Sequence, residues 1–174
     1  MNLPNYITLA RVVLVPFFIN FMIYGYYGAA LAVFVVACVT DALDGMIARL
    51  TNQKTELGAF LDPLADKLLI ISAFVTLALL GMLPIWLVLI VVSRDVILVL
   101  GSLVLYFMGH QFKSRPSIFG KLTTVLQLLV VTFSLGLKTF GYEMEWLPVL
   151  HWTTAAFTLV SGVQYVVRGT KIVG

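Results

Sequence analysis

Apolar residues fall along the chain in six blocks, at about 5–25, 29–50, 58–80, 84–108, 118–137 and 147–167, with short connections between them. Each block holds about 20 residues, the length at which a helix rising 1.5 Å per residue crosses about 30 Å of hydrocarbon. The pattern predicts an all-α integral membrane protein, a bundle of six transmembrane helices. Almost nothing is left over for a soluble domain, so residues 1–174 read as one membrane domain. No internal repeat interrupts the pattern, so the inverted-repeat signature of many transporters is missing.

Composition agrees with the spacing. Of the residues, 61% are hydrophobic and only 11% charged, and the mean hydropathy is +1.04. A soluble domain of this length needs more polar surface to cover its core. The positions of the charges then orient the bundle. The connections near 26–28 and 81–83 carry none, and the one near 138–146 sets Lys138 against Glu143 and Glu145. Arg11, Arg49, Lys54, Lys113, Arg115, Lys121, Arg168 and Lys171 gather at the other ends of the spans. Cytoplasmic loops carry the excess of Lys and Arg, so both termini are expected in the cytoplasm. Tyr24, Tyr26, Tyr27, Trp86, Trp146 and Trp152 fall near the opposite interface, where amphipathic rings are favoured.

The net charge of +3 is spread over membrane-proximal loops, which points to a bilayer surface or a phosphate-bearing substrate and not to nucleic acid. Cys38 is the single cysteine, so neither an internal disulfide nor a thiolate metal site is available. The N-terminus has no basic n-region with a small-residue cleavage site and is not Arg- and Ser-rich. A prokaryotic cytoplasmic (inner) membrane is therefore the expected location.

The acids carry the chemical information. Of eight carboxylates, Asp41, Asp44, Asp62, Asp66 and Asp95 lie inside or at the edge of spans. An ionised Asp at mid-helix costs about 2.5–3.5 kcal/mol on insertion scales, so five of them call for cations among them. On a helical wheel with Asp41 as origin, Asp44, Gly45, Ala48 and Arg49 fall at about 300°, 40°, 340° and 80°, one face of the second span. Gly58, Asp62 and Asp66 are spaced four apart and stack on one stripe of the third span. The short connection 50–57 forces these two helices antiparallel. Asp41 and Asp44 can then face Asp62 and Asp66 across a cleft that opens toward the cytoplasm.

Four facing carboxylates repel one another strongly in a low dielectric and stay ionised only beside positive charge. An oxygen-only donor set selects hard cations, Mg²⁺ or Mn²⁺. Two such ions in one site would suit phosphoryl-type transfer. The competing explanation is a small divalent-cation or proton-coupled transporter using the same acids. Gly45, Ala48 and Gly58 share the acidic faces. Each alone would be a packing residue, but beside the acids they leave space for a base or a diphosphate.

These residues resemble a known family. Asp41-x2-Asp44-Gly45-x2-Ala48-Arg49-x8-Gly58-x3-Asp62-x3-Asp66 reproduces, without departure, the signature of the CDP-alcohol phosphotransferases. The resemblance continues through Leu3-Pro4-Asn5 with Thr8 and Arg11, Pro63 to Lys67, Arg94-Asp95, Gly120-Lys121 with Thr124 and Gln127, and Ser161-Gly162 with Tyr165. It implies a six-helix membrane bundle, usually a homodimer. It further implies that Asp41, Asp44, Asp62 and Asp66 hold two Mg²⁺ or Mn²⁺ ions, and that Asp66 is also the general base. Asn5, Thr8, Gly45, Ala48, Arg49 and Gly58 would bind the nucleotide. The implied reaction is attack of an alcohol on the lipid-side phosphorus of CDP-diacylglycerol, releasing CMP.

The resemblance also bears on the acceptor. Relatives that use glycerol-3-phosphate tend to have a Glu after the mid-membrane Arg of the fourth span. They also tend to carry a further Arg about two turns on, and a second Lys after the Gly-Lys pair. This chain has Arg94-Asp95, no positive charge from Val96 to Tyr106, and Gly120-Lys121-Leu122-Thr123. Two donors for a phosphate dianion are thus missing. The pattern is closer to the CMP-forming cardiolipin synthases, whose acceptor is phosphatidylglycerol, with glycerol-3-phosphate as the alternative. Arg94, Arg115 and Lys121 are the candidate acceptor residues. For Arg94 a structural ion pair with Asp95 or a signature Asp carries equal weight. His110 and His151 stand apart from other ligand types and read as surface or packing residues.

Overall fold

A computed structural model describes the backbone of residues 3–51, 56–107 and 118–173, and the side chains of residues 11–40, 67–101, 118–167, 169 and 170. The described backbone forms six helices: α1 (Leu3–Ile23), α2 (Tyr27–Thr51), α3 (Glu56–Leu79), α4 (Ile85–Phe107), α5 (Ile118–Phe140) and α6 (Leu147–Val173). No strand occurs among the described residues. All six expected helices are present, each within a few residues of its apolar block except α6, which runs on to Val173. Hydropathy missed that last stretch because Arg168, Thr170 and Lys171 dilute the apolar signal.

The helices have 21 to 27 residues, which is about 30–40 Å at 1.5 Å per residue. Among the residues whose side chains are described, α5 is the one helix long and apolar enough to cross a membrane. Shorter apolar runs cover Arg11–Ile23, Tyr27–Thr40 and Lys67–Leu79, the described parts of α1, α2 and α3.

Three helices end in the same way. Gly25, Gly81 and Gly141 follow α1, α3 and α5 with φ of 78°, 71° and 70°. Tyr26 N–H bonds the Phe21 carbonyl at 2.8 Å, Met82 N–H bonds that of Leu77 at 2.8 Å, and Tyr142 N–H bonds that of Leu137 at 3.0 Å. A left-handed residue followed by a bond back over five residues satisfies carbonyls that the helix end leaves open, and glycine takes this conformation without a Cβ clash. All three lie in the connections that carry little or no positive charge.

The chain divides into two compact units. The first comprises residues 1–82 and 131–143, where α1 packs on both α2 and α3. Its core holds Phe18 and Met22 of α1, Ala30 and Phe34 of α2, and Phe74 and Leu77 of α3, all fully buried. The Phe18 and Phe34 rings tilt at 46° with centroids 5.9 Å apart. Arg11 is buried here. The sequence pattern puts it among the charges at the span ends, which does not require burial.

The second unit comprises residues 83–130 and 144–174. Here α4 and α6 lie side by side and are linked at three levels. The Trp86 and Trp152 rings stack with centroids 4.6 Å apart. One Arg94 guanidinium nitrogen donates to Ser161 Oγ at 2.8 Å. The Tyr165 hydroxyl donates to the Leu98 carbonyl at 3.2 Å. The two hydrogen-bonded links have the same sequence separation, 67 residues, so α4 and α6 run parallel and in register. The chain therefore returns through α5 between them.

Glycine sets the closeness of this pair. A Cβ on Gly101 would lie 2.9 Å from Cε1 of Tyr165, and one on Gly162 would touch Cγ of Arg94 at 3.4 Å. Small residues at such crossings let helices approach where the hydrophobic effect gives no drive between them.

Candidate active site

The signature residues occupy helical backbone, as their spacing requires. Asp41, Asp44, Gly45, Ala48 and Arg49 lie in α2, and Gly58, Asp62 and Asp66 lie in α3. Only residues 52–55 separate the two described helices. A helical period puts Asp41 and Asp44 one turn apart, and Asp62 and Asp66 one turn apart. Asn5 and Thr8 lie in α1. The side chains of all ten fall outside the described residues, as does the whole of Arg115.

Among the described residues there is no group of three or more His, Cys, Asp or Glu placed to hold a metal. The donor set that fits a metal is the one on α2 and α3. Four carboxylates on consecutive turns of two helices, with no softer ligand in the signature, suit a hard divalent cation.

Of the acceptor candidates, Arg94 is the best defined. It lies near the middle of α4 and is buried. Nη1 bonds Asp95 Oδ1 at 2.7 Å and Nη2 donates to Ser161. Asp95 is completely buried, so the ion pair between neighbours in sequence is formed as one of the two readings expected. A buried charge pair persists because the attraction between the partners offsets the cost of desolvating them. Nε of Arg94 has no hydrogen-bond partner. Lys121, near the start of α5, is exposed.

Arg94 also lines a groove of about 520 Å³ between α4 and α6. Leu89, Ile90, Ile97, Leu159, Val163 and Val166 form most of its walls. The volume lies within the range of about 300–1,000 Å³ usual for ligand sites.

The structure adds a polar seam that hydropathy hid. His151, Thr154, Thr158 and Ser161 recur every three or four residues on α6, and all four are buried. Thr154 and Thr158 donate to the carbonyls of Leu150 and Thr154, which satisfies them inside the helix. From α5, Thr123 bonds the carbonyls of Phe119 and Phe157. Gln127, one turn on, is completely buried with neither amide atom hydrogen-bonded. The family resemblance already names Ser161 and Gly162; the structure adds that Ser161 closes a buried stripe at i, i+3, i+7 and i+10 from His151.

Sequence comparison supplies the family. The profile of the CDP-alcohol phosphatidyltransferases matches residues 1–160. A probable phosphatidylglycerophosphate synthase of Mycobacterium tuberculosis is 36% identical over 181 residues, covering 99% of this chain and 84% of the relative. The CDP-diacylglycerol–glycerol-3-phosphate 3-phosphatidyltransferase of Bacillus subtilis is 35% identical over 182 residues, 94% of this chain and 93% of that one. The CMP-forming cardiolipin synthase of Homo sapiens is 35% identical over 189 residues, 99% of this chain and 63% of the human protein. These relatives are transferases, which removes the transporter alternative for the same acids. The chain belongs to the CDP-alcohol phosphatidyltransferase family, membrane-associated enzymes of phospholipid synthesis that generally use a divalent metal.

Proposed function

We propose that this enzyme transfers the phosphatidyl group of CDP-diacylglycerol to the hydroxyl of phosphatidylglycerol, forming cardiolipin and releasing CMP. The observation that carries the family reaction is the unbroken signature from Asp41 to Asp66, set on the helical backbone of α2 and α3. Asp41, Asp44, Asp62 and Asp66 would hold two Mg²⁺ or Mn²⁺ ions, whose charge would neutralise the donor's diphosphate and stabilise CMP as it leaves. Asn5, Thr8, Gly45, Ala48, Arg49 and Gly58 bind the nucleotide. Asp66 takes the proton from the acceptor hydroxyl.

Arg94, Arg115 and Lys121 bind the acceptor phosphate. The Arg94–Asp95 pair supports a singly charged phosphodiester, because part of the guanidinium is already committed. The phosphatidylglycerophosphate synthase names of the bacterial relatives favour a second reading, with glycerol-3-phosphate as acceptor.

Six spans fit the helix lengths and the parallel run of α4 and α6, which α5 must cross between. The charge bias puts both termini and the active site on the cytoplasmic side of a prokaryotic inner membrane. The whole chain acts as one domain, and a homodimer is the expected assembly.

The test is CMP release by purified enzyme from CDP-diacylglycerol, with phosphatidylglycerol and glycerol-3-phosphate offered in parallel and the lipid products identified by mass. Cardiolipin as the main product supports the proposal. Phosphatidylglycerophosphate as the main product selects the second acceptor.

A further inference from the structure

A water-soluble acceptor and a lipid acceptor place different demands on the protein beside the acceptor cation. Glycerol-3-phosphate needs only polar contacts and access from water. A phospholipid acceptor brings acyl chains that must lie against apolar surface while its phosphate meets the cation. The two can be told apart by what surrounds Arg94.

Arg94 lines the groove between α4 and α6 and is the only charged residue to do so among the described residues. Among the described lining residues, Ser93 and Thr158 are the other two with polar side chains. The walls follow α4 from Leu89 to Ile97 and α6 from Thr158 to Val167, about 12–14 Å along each helix at 1.5 Å per residue. Leu89, Leu159 and Val163 are each more than half exposed, so the groove opens sideways from the helix pair and not into a sealed core. The shape is an apolar trough with one cation part-way along.

The state of that cation narrows the ligand. Asp95 offsets the guanidinium charge, and Ser161 occupies a second nitrogen. Nε, the third guanidinium nitrogen, is buried without a hydrogen-bond partner. A phosphomonoester dianion is best met by a fully charged bidentate fork. An arginine whose charge Asp95 already offsets suits a phosphodiester monoanion, and a buried Nε–H without a partner is costly enough to call for an acceptor.

We propose that the α4–α6 groove seats an acyl chain of a phospholipid acceptor, with its phosphodiester on Arg94. This rests on the assignment of Arg94 to acceptor binding made above. It goes further, because it makes the groove walls residues that select a lipid alcohol over a water-soluble one.

The experiment places Trp in the groove at Val163 and, as control, at Val160, an exposed α6 position outside the groove. KM values are measured for CDP-diacylglycerol, for long-chain phosphatidylglycerol and for its dihexanoyl analogue. Val163→Trp is expected to raise the KM for the long-chain acceptor about tenfold, to affect the dihexanoyl acceptor less than threefold, and to leave the donor KM unchanged. Val160→Trp should match the unsubstituted enzyme. A Val163→Trp enzyme with unaltered acceptor KM overturns the groove assignment while phosphatidylglycerol stands as acceptor. A rise in donor KM instead gives the groove to CDP-diacylglycerol and also overturns it. CMP release with glycerol-3-phosphate alone removes the lipid acceptor from both proposals and leaves the family reaction intact.

A second measurement needs no variant. Phosphatidylglycerol carrying a photoactivatable diazirine in its acyl chain should label peptides 89–97 and 158–167 of the full-length enzyme, and unlabelled phosphatidylglycerol should compete. Labelling confined to other helices, or competed only by CDP-diacylglycerol, contradicts the proposal.

Discussion

Arg94 on α4 reaches Ser161 on α6 at 2.8 Å, while its other terminal nitrogen holds Asp95 at 2.7 Å. The guanidinium thus has one fixed orientation. Gly162 reinforces it by letting α6 close on the aliphatic stem of the arginine.

Removing the hydroxyl tests that orientation. A hydrogen bond to a charged group contributes about 1.5–3 kcal/mol. Ser161→Ala should therefore raise the acceptor KM about tenfold, with a smaller change in kcat and none in the donor KM, read by CMP release. Equal losses with both substrates would make the contact purely structural.

Asp95→Asn should have a different signature. It leaves the arginine charge buried without its counter-charge, a loss of about 3–5 kcal/mol for a buried pair. The measurement is thermal unfolding in detergent, where the variant should melt well below the parent and below Ser161→Ala. A melting point equal to the parent's would mean that Asp95 does not compensate Arg94.

The contact between Gly101 and Tyr165 predicts a third pattern. Gly101→Ala puts a methyl group 2.9 Å from the tyrosine ring, and overpacking of this kind costs about 1–3 kcal/mol. Tyr165→Phe loses the bond to the Leu98 carbonyl, about 0.5–1.5 kcal/mol. Gly101→Ala should be the less stable of the two in a melting experiment.

Two glycines should answer oppositely to the same change. Gly81 has φ of 71°, so Gly81→Ala forces a left-handed alanine and costs about 1–2 kcal/mol. Gly136 lies inside α5 with open space where a Cβ would go. Gly136→Ala should be neutral or stabilise by up to about 1 kcal/mol. Paired melting curves decide it.

Much of this architecture was legible in the residues. Apolar blocks of span length gave all six helices, because hydrophobicity over twenty positions is a strong signal. The four acids stood out since charge inside such blocks is rare. The α6 seam did not, because His151, Thr154, Thr158 and Ser161 lower hydropathy only slightly and show their periodicity only when the buried face is known. Nor could periodicity give the register of α4 against α6, which depends on side chains 67 residues apart. Arg94 was ambiguous for a related reason. Spacing put Asp95 beside it, but adjacent residues on a helix diverge by about 100°, and only the buried geometry brings their side chains together.

The proposed reaction depends most on one carboxylate among the α2 and α3 acids, Asp66. Asp66→Asn keeps the size of the side chain and removes its charge, and with it the proposed capacity to take the acceptor's proton. Mg²⁺- or Mn²⁺-dependent CMP release from CDP-diacylglycerol should fall about 10²–10⁴-fold, with the melting curve showing a folded enzyme. Turnover close to that of the unsubstituted enzyme, or CMP release that survives removal of divalent metal by chelation, would contradict it.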